Sequence, residues 1–114
     1  MGDDKRIAKL VRDLRTGLLT LVVLDILLRE GPLHGYGVRK MIENLTGVWA
    51  PETTVYDALK RLEKNGLAES YWARSPAGTL RKYYRVNDRA RDAYEVLISE
   101  ARRLLGKLIC DRGG

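Results

Sequence analysis

A mainly α domain of the α+β class, in which several helices carry one short β-ribbon, is the fold the sequence predicts. Three observations lead there. Apolar residues recur at helical spacing over most of the chain. That period gives way to alternation between Leu67 and Val86. It then returns as a heptad-like step running toward the C-terminus.

Bulk composition narrows the partners before any element is placed. At 114 residues the chain makes one domain with helical extensions and a modest core. A hydrophobic fraction of 45% and a charged fraction of 32% describe a soluble globular protein. The net charge of +6 favours a polyanionic partner, nucleic acid first. A membrane surface fits less well, because no strongly basic amphipathic helix with bulky aromatics is present. The apolar run Leu18–Leu28 is interrupted by Thr20 and Asp25 and is too short to span a bilayer. The acidic start Met1-Gly2-Asp3-Asp4 lacks a signal-peptide core. A single cysteine, Cys110, allows no intrachain disulfide and fits a reducing, cytoplasmic setting.

Lys5–Arg15 is read as a helix with Ile7, Leu10, Val11 and Leu14 on one side. That stripe needs a second helix, in this chain or in a partner's. Gly17 is expected to bend or break the helix. Leu18–Arg29 is apolar nearly all round, which predicts a central core helix ended by Glu30-Gly31-Pro32. After Leu33-His34-Gly35-Tyr36-Gly37 a helix is expected over Val38–Leu45. Val38, Met41, Ile42 and Leu45 would face inward, and Arg39, Lys40 and Glu43 outward, before Thr46-Gly47 closes it.

Pro51–Gly66 is the stretch that the rest serves. Pro51 suits the first helical position, which needs no backbone N–H. Glu52 beside it complements the positive end of the helix dipole. Val55, Ala58, Leu59 and Leu62 make an apolar stripe, and Thr53, Thr54, Asp57, Lys60, Arg61 and Lys64 occupy the opposite face. Gly66 is expected to end the helix in a left-handed conformation. Two short helices joined by a turn, the second amphipathic and basic, predict a helix-turn-helix.

Leu67–Arg74 and Thr79–Val86 then read as two strands around the turn Ser75-Pro76-Ala77-Gly78. Leu80, Tyr84 and Val86 are the expected inner face. At least two of Trp72, Tyr71 and Tyr84 are expected to cover the core. A ribbon directly after a recognition-type helix is a wing, and Arg74, Arg81 and Lys82 near its tip suit a sugar-phosphate surface. Asn87 is a good N-cap for a last helix over Asp88–Cys110. Ala90, Tyr94, Leu97, Ala101, Leu104 and Leu108 step along it as a coiled-coil seam. The seam outruns one small core, so a two-fold partner chain is expected to meet it. The expected division is an N-terminal helix at residues 1–17, a winged helix-turn-helix at 18–87 and a dimerising helix at 88–114.

Gly31–Glu43, reading GPLHGYGVRKMIE, is followed by VYDALKRLEKNGL at Val55–Leu67 and RKYYRVND at Arg81–Asp88. These three strings, in this order, closely resemble the PadR family of transcriptional regulators, and the likeness extends from about Leu18 to Tyr94. The single C-terminal helix resembles the smaller subgroup of that family. The resemblance implies a homodimeric winged-helix repressor that releases a pseudo-palindromic operator on meeting a ligand or signal. It also implies a dimer built from the first and last helices, here through Ile7, Leu10, Leu14, Tyr94, Leu97, Ala101, Leu104 and Leu108. Tyr36 matches the family tyrosine that opens the second helix and often touches phosphate. Thr53, Thr54 and Tyr56 fall where base and phosphate contacts concentrate, with Lys60 and Arg61 one turn on. Lys82 and Tyr83 match the basic-aromatic pair of the wing. Arg39, Lys40 and Arg81 complete the candidate DNA contacts on charge and placement. The stretch Ala50-Pro51-Glu52-Thr53-Thr54 departs from the Ser-Pro-Gly-Thr type of start seen in many relatives. Glu52 would sit near phosphate, where a carboxylate repels, and Asp57 faces the groove side as well, although Arg61 one turn on can pair with it.

Other candidates carry less. His34, the only histidine, lacks companions at metal-ligand spacing and is expected to hydrogen-bond in the turn before the second helix. Trp49 and Trp72 either pack in the core and hinge or line a flat cavity for a small aromatic effector. Cys110 is either a partly exposed thiol or a cross-link at a dimer axis. No phosphate loop, metal set or nucleophile-base pair supports catalysis, and no cofactor or metal is expected. Two rivals remain: a sequence-tolerant architectural DNA binder, and a winged-helix module that binds protein.

Overall fold

The computed structural model describes residues 4–113, with side chains through residue 109. Helix α1 spans Lys5–Glu30, strand β1 Leu33–His34, α2 Gly35–Thr46 and α3 Glu52–Lys64. Strands β2, Ala68–Arg74, and β3, Leu80–Val86, precede the last helix α4, Ala90–Gly113. The result is an α+β winged helix, with four helices and a three-stranded antiparallel sheet ordered β1-β3-β2. No helix among the described residues is long and apolar enough to cross a membrane.

Asp4 caps α1 by accepting the Arg6 N–H at 2.9 Å. No break occurs at Gly17, because α1 runs uninterrupted past it. Glycine weakens a helix by about 1 kcal/mol relative to alanine but does not compel a break. On either side of Gly17, Thr16 and Thr20 donate their hydroxyls to the carbonyls of Arg12 and Thr16. The expected boundary at residue 17 therefore falls inside one element.

The second half of α1 supplies Val23, Leu24, Ile26 and Leu27 to the core. Val38 and Ile42 of α2, and Val55, Ala58, Leu59 and Leu62 of α3, pack on them, with Tyr84 of β3 closing one side. The burial of these apolar side chains is the main favourable term in folding. Helix α2 starts at Gly35, earlier than expected, because the His34 imidazole caps it. Leu45 is 48% exposed rather than inward, since it lies in the last turn, past the edge of the core. Pro51 precedes α3 as its cap residue instead of occupying the first helical position, and its carbonyl accepts from Val55 N.

Gly66 joins α3 to β2 with φ +73°, as its left-handed reading requires. Its carbonyl accepts from the Asn87 side-chain amide and from Arg89 Nη2, and a Cβ there would strike that guanidinium. Asn87 is thereby tied to the α3–β2 corner. Its Oδ1 accepts from Arg89 N in a turn, and α4 begins at Ala90 rather than Asp88.

The ribbon registers Ala68 with Val86, Trp72 with Lys82 and Arg74 with Leu80. Leu80, Tyr84 and Val86 share a face, as alternation demands, but the ribbon outruns the core. Leu80 is 55% exposed and Trp72 64% exposed. Tyr71 is half-buried on the other face, so of the three aromatics only Tyr84 belongs to the core.

Candidate nucleic-acid interface

The buried stripe of α3 turns the opposite face to solvent. Thr53, Asp57, Lys60, Arg61 and Lys64 are all exposed there, whereas Thr54 is half-buried. Lys64 belongs to this face although the candidate contacts omit it, and its spacing from Lys60 was the available signal. Asp57 and Arg61, which spacing allows to pair, form no ion pair: the ion pairs among the described residues are Asp4–Arg6, Lys9–Asp13, Asp25–Arg29 and Glu69–Arg85.

Tyr56 leaves the solvent face and packs beneath the first turn of α2, against Gly35. Tyr36, one residue on, is 50% exposed and meets Trp49 edge-on at 6.3 Å. Arg39 is half-buried. Its Nε donates to the Ala50 carbonyl at 2.7 Å, and its guanidinium lies 4.2 Å from the centre of the Trp49 ring. This side chain buckles α2 to the segment that leads into α3. Lys40 is exposed on the same helix.

A recess of about 150 Å³ gathers Tyr36 and Arg39 of α2, Glu52 and Tyr56 of α3, and Arg81 of the wing. With Gly35 and Val55, seven residues from three elements share one opening, framed by two cations and two phenols. Such a set can hydrogen-bond and neutralise an anionic oxygen; Glu52 supplies the opposing charge.

Behind the recess, the His34 Nδ1 accepts from Gly37 N at 3.0 Å, the turn hydrogen bond expected of this residue. That bond requires the neutral ring. Burial first, and the nearby Arg81 guanidinium second, hold the imidazole below its usual titration range. His34 pairs with Tyr83 across β1 and β3, and their rings meet edge-on at 5.3 Å.

The wing divides its candidates between two faces. Tyr83 stacks on Tyr71 at 5.8 Å, and Arg85 lies 5.0 Å from the Tyr71 ring while pairing with Glu69 at 2.7 Å. Lys82 belongs to the opposite face, with its ammonium 5.7 Å from the Tyr84 ring. Arg81 and Tyr83 therefore share a face from which Lys82 is excluded.

The remaining candidates lie away from this surface. Ile7, Leu10 and Leu14 stand exposed on α1, and Leu97, Leu104 and Leu108 on α4, with Ala101 half-buried. Leu14, Leu18 and Leu21 face Leu97, Ala101 and Leu104 across an apolar groove of about 300 Å³. Tyr94 differs from the others because it packs on its own core. Burial, and then the Asp25 carboxylate beside its hydroxyl, raise the phenol above its ordinary value. Trp49, between α2 and α3, and Trp72, on β2, have separate neighbours, Trp49 against Tyr36 and Arg39, Trp72 opposite Lys82 on the wing. The Cys110 side chain lies outside the described residues.

Comparison with known proteins agrees with this fold. A regulator from Clostridium thermocellum of known structure is 33% identical, with a TM-score of 0.73 over 88% of this chain and 94% of that one. A PadR family transcriptional regulator from Eggerthella lenta is 30% identical, with a TM-score of 0.73 over 96% of each chain. Bacillus subtilis PadR in complex with operator DNA is 22% identical, with a TM-score of 0.61 over 71% of this chain and 46% of that one, a likeness of fold. An uncharacterized protein of Lysinibacillus sphaericus is 31% identical over 90 residues, which are 77% of this chain and 82% of that one. The model of the transcriptional regulator PadR-like family matches residues 23–96. The proteins from Clostridium thermocellum and Eggerthella lenta are transcriptional regulators, and the chain belongs to the PadR-like family of transcriptional regulators.

Proposed function

We propose that the chain is a sequence-specific regulator that binds double-stranded DNA as a homodimer and represses until a ligand or signal releases it. One observation carries this: the solvent row of α3 adjoins a recess where Tyr36, Tyr56 and Arg81 converge from three elements. A helix with one buried stripe and an exposed Thr-Lys-Arg face suits a major groove, and an Arg-Tyr recess beside it suits the flanking phosphate. The Bacillus subtilis relative with operator DNA supports the same use of the fold.

The dimer rests on the exposed stripes of α1 and α4, Ile7, Leu10 and Leu14 with Leu97, Leu104 and Leu108. Two-fold pairing presents two copies of α3 to one pseudo-palindromic site, with half-sites about 34 Å apart or a small multiple of that. For a small aromatic effector, Trp72 is the open indole, whereas Trp49 already packs against Tyr36 and Arg39.

Footprinting on the DNA upstream of the chain's own coding region, alongside affinity for random duplex at equal salt, tests the proposal. Two protected half-sites and a strong preference for that DNA are expected. An affinity ratio near one would favour a sequence-tolerant architectural role, and no retention of DNA would favour a protein-binding module.

A further inference from the structure

The geometry points to Asp57 as a specificity-determining residue, whose carboxylate reads the exocyclic amino group of a cytosine in the major groove. This rests on the DNA-binding proposal above and goes beyond it in naming the base chemistry.

A helix turns by about 100° per residue. The line opposite the buried Val55, Ala58, Leu59 and Leu62 therefore runs through Thr53, Asp57, Lys60 and Lys64, all exposed. Whatever groove receives α3 along that line meets Asp57 at its centre. The carboxylate shares a shallow depression with Lys60, Arg61, Lys64 and Asn65. Among the described residues it nevertheless makes no ion pair. Spacing alone does not explain this, because Asp25 and Arg29, in the same order and at the same separation on α1, close to 2.9 Å. Asp57 thus presents both oxygens to solvent at the middle of the reading face.

A carboxylate only accepts hydrogen bonds. It is repelled by phosphate and by the acceptor edges of guanine and thymine. Cytosine offers an amino donor at N4, the usual partner of an acidic side chain. Adenine also offers a donor at N6, but its N7 acceptor lies beside it and would face the second oxygen. Asp57 therefore acts by penalty as well as by attraction: sequences without a suitably placed cytosine leave the charge facing acceptors. The surrounding Lys60, Arg61 and Lys64 supply general attraction, and Asp57 adds selection at its own base pair.

The test uses the full chain. Duplexes are selected from a random pool by the wild-type protein. Every base pair of the selected site is then varied, and affinities are measured for wild type, Asp57→Asn and Asp57→Ala at one salt concentration. Matching circular dichroism and melting temperature are expected, because Asp57 is exposed, and these serve as the folding control. The wild type should lose about tenfold or more when one C·G pair in each half-site is replaced. Both variants should lose that preference at that pair alone, keep the others, and bind random DNA several-fold more tightly. Unchanged base preferences in both variants, with affinity raised alike for every duplex, would overturn the inference while leaving the DNA-binding proposal standing. A wild type that selects no sequence would overturn both.

Discussion

The ring edge and hydroxyl of Tyr56 occupy the space that a side chain on Gly35 would need: a Cβ there would lie 2.5 Å from the phenol oxygen. This contact sets how closely the first turn of α2 approaches α3. Gly35→Ala is expected to cost about 1–3 kcal/mol, the usual range for overpacking a tight site. Denaturant unfolding measures it, and Tyr56→Phe in the same background should restore little, because the ring carbons Cζ and Cε1 would still lie 2.6 and 2.8 Å from that Cβ. An alanine variant as stable as wild type would show that the ring swings aside freely.

Arg39 joins α2 to the start of α3 through Ala50 and Trp49. Arg39→Ala should lower stability by about 1–2 kcal/mol, from one charge-assisted hydrogen bond and a stacked face. Arg39→Lys should recover little, because an ammonium lacks the planar face that covers Trp49 while Nε donates. Trp49 fluorescence and thermal melting report both effects.

His34 links stability to pH. Its imidazole is held below its unfolded value of about 6.5, so the unfolded chain binds the proton more readily. The stabilising contribution is complete above that value and is lost as pH falls through the lower folded pKa. His34→Asn keeps a capping acceptor without this titration. Wild-type melting temperature should fall on acidification below about 6.5, and the variant should be flatter over that first segment. Parallel curves would assign the loss to other groups.

Lys60, Arg61 and Lys64 are exposed and unpaired by salt bridges among the described residues. Their alanine variants should keep stability within about 0.5 kcal/mol of wild type. Where the lost cation touched phosphate, the magnitude of the salt dependence of binding should fall by about one. For the parent protein, six to ten phosphate contacts would reduce affinity by about 10³–10⁵ between 50 and 200 mM salt. Filter-binding titrations across that range decide the point.

Leu104, at 70% exposure, is the most open large apolar side chain among the proposed dimer contacts. Leu104→Glu should shift the protein toward its monomer mass of 12.9 kDa in sedimentation equilibrium with little change in helix content. A wild type already at that mass would remove the dimer from the proposal.

The stripes of α2 and α3, the ribbon and the glycine stops could be read from spacing, because periodicity records which face is buried. It does not record where the core ends. Leu45, Leu80 and Trp72 have the expected parity or phase but stand beyond the last packed layer. Strand β1 has two residues, too few for any period, and depends on Tyr83 and Tyr84 for its pairing. Arg39 looked like a surface cation because its acceptor, Ala50, is supplied by another segment. The same holds for the free carboxylate of Asp57, since helix spacing permits a pair with Arg61 without requiring one.

The unbroken course of α1 makes it a stiff lever of roughly 39 Å. One arm is anchored among Val23, Leu24 and Leu27, and the other carries Ile7 and Leu10. A tilt of five degrees about Val23 would sweep Ile7 through about 2 Å. A hinge at Gly17 would have absorbed such a tilt. Without one, whatever grips the outer arm also sets the pitch at which the chain offers α3.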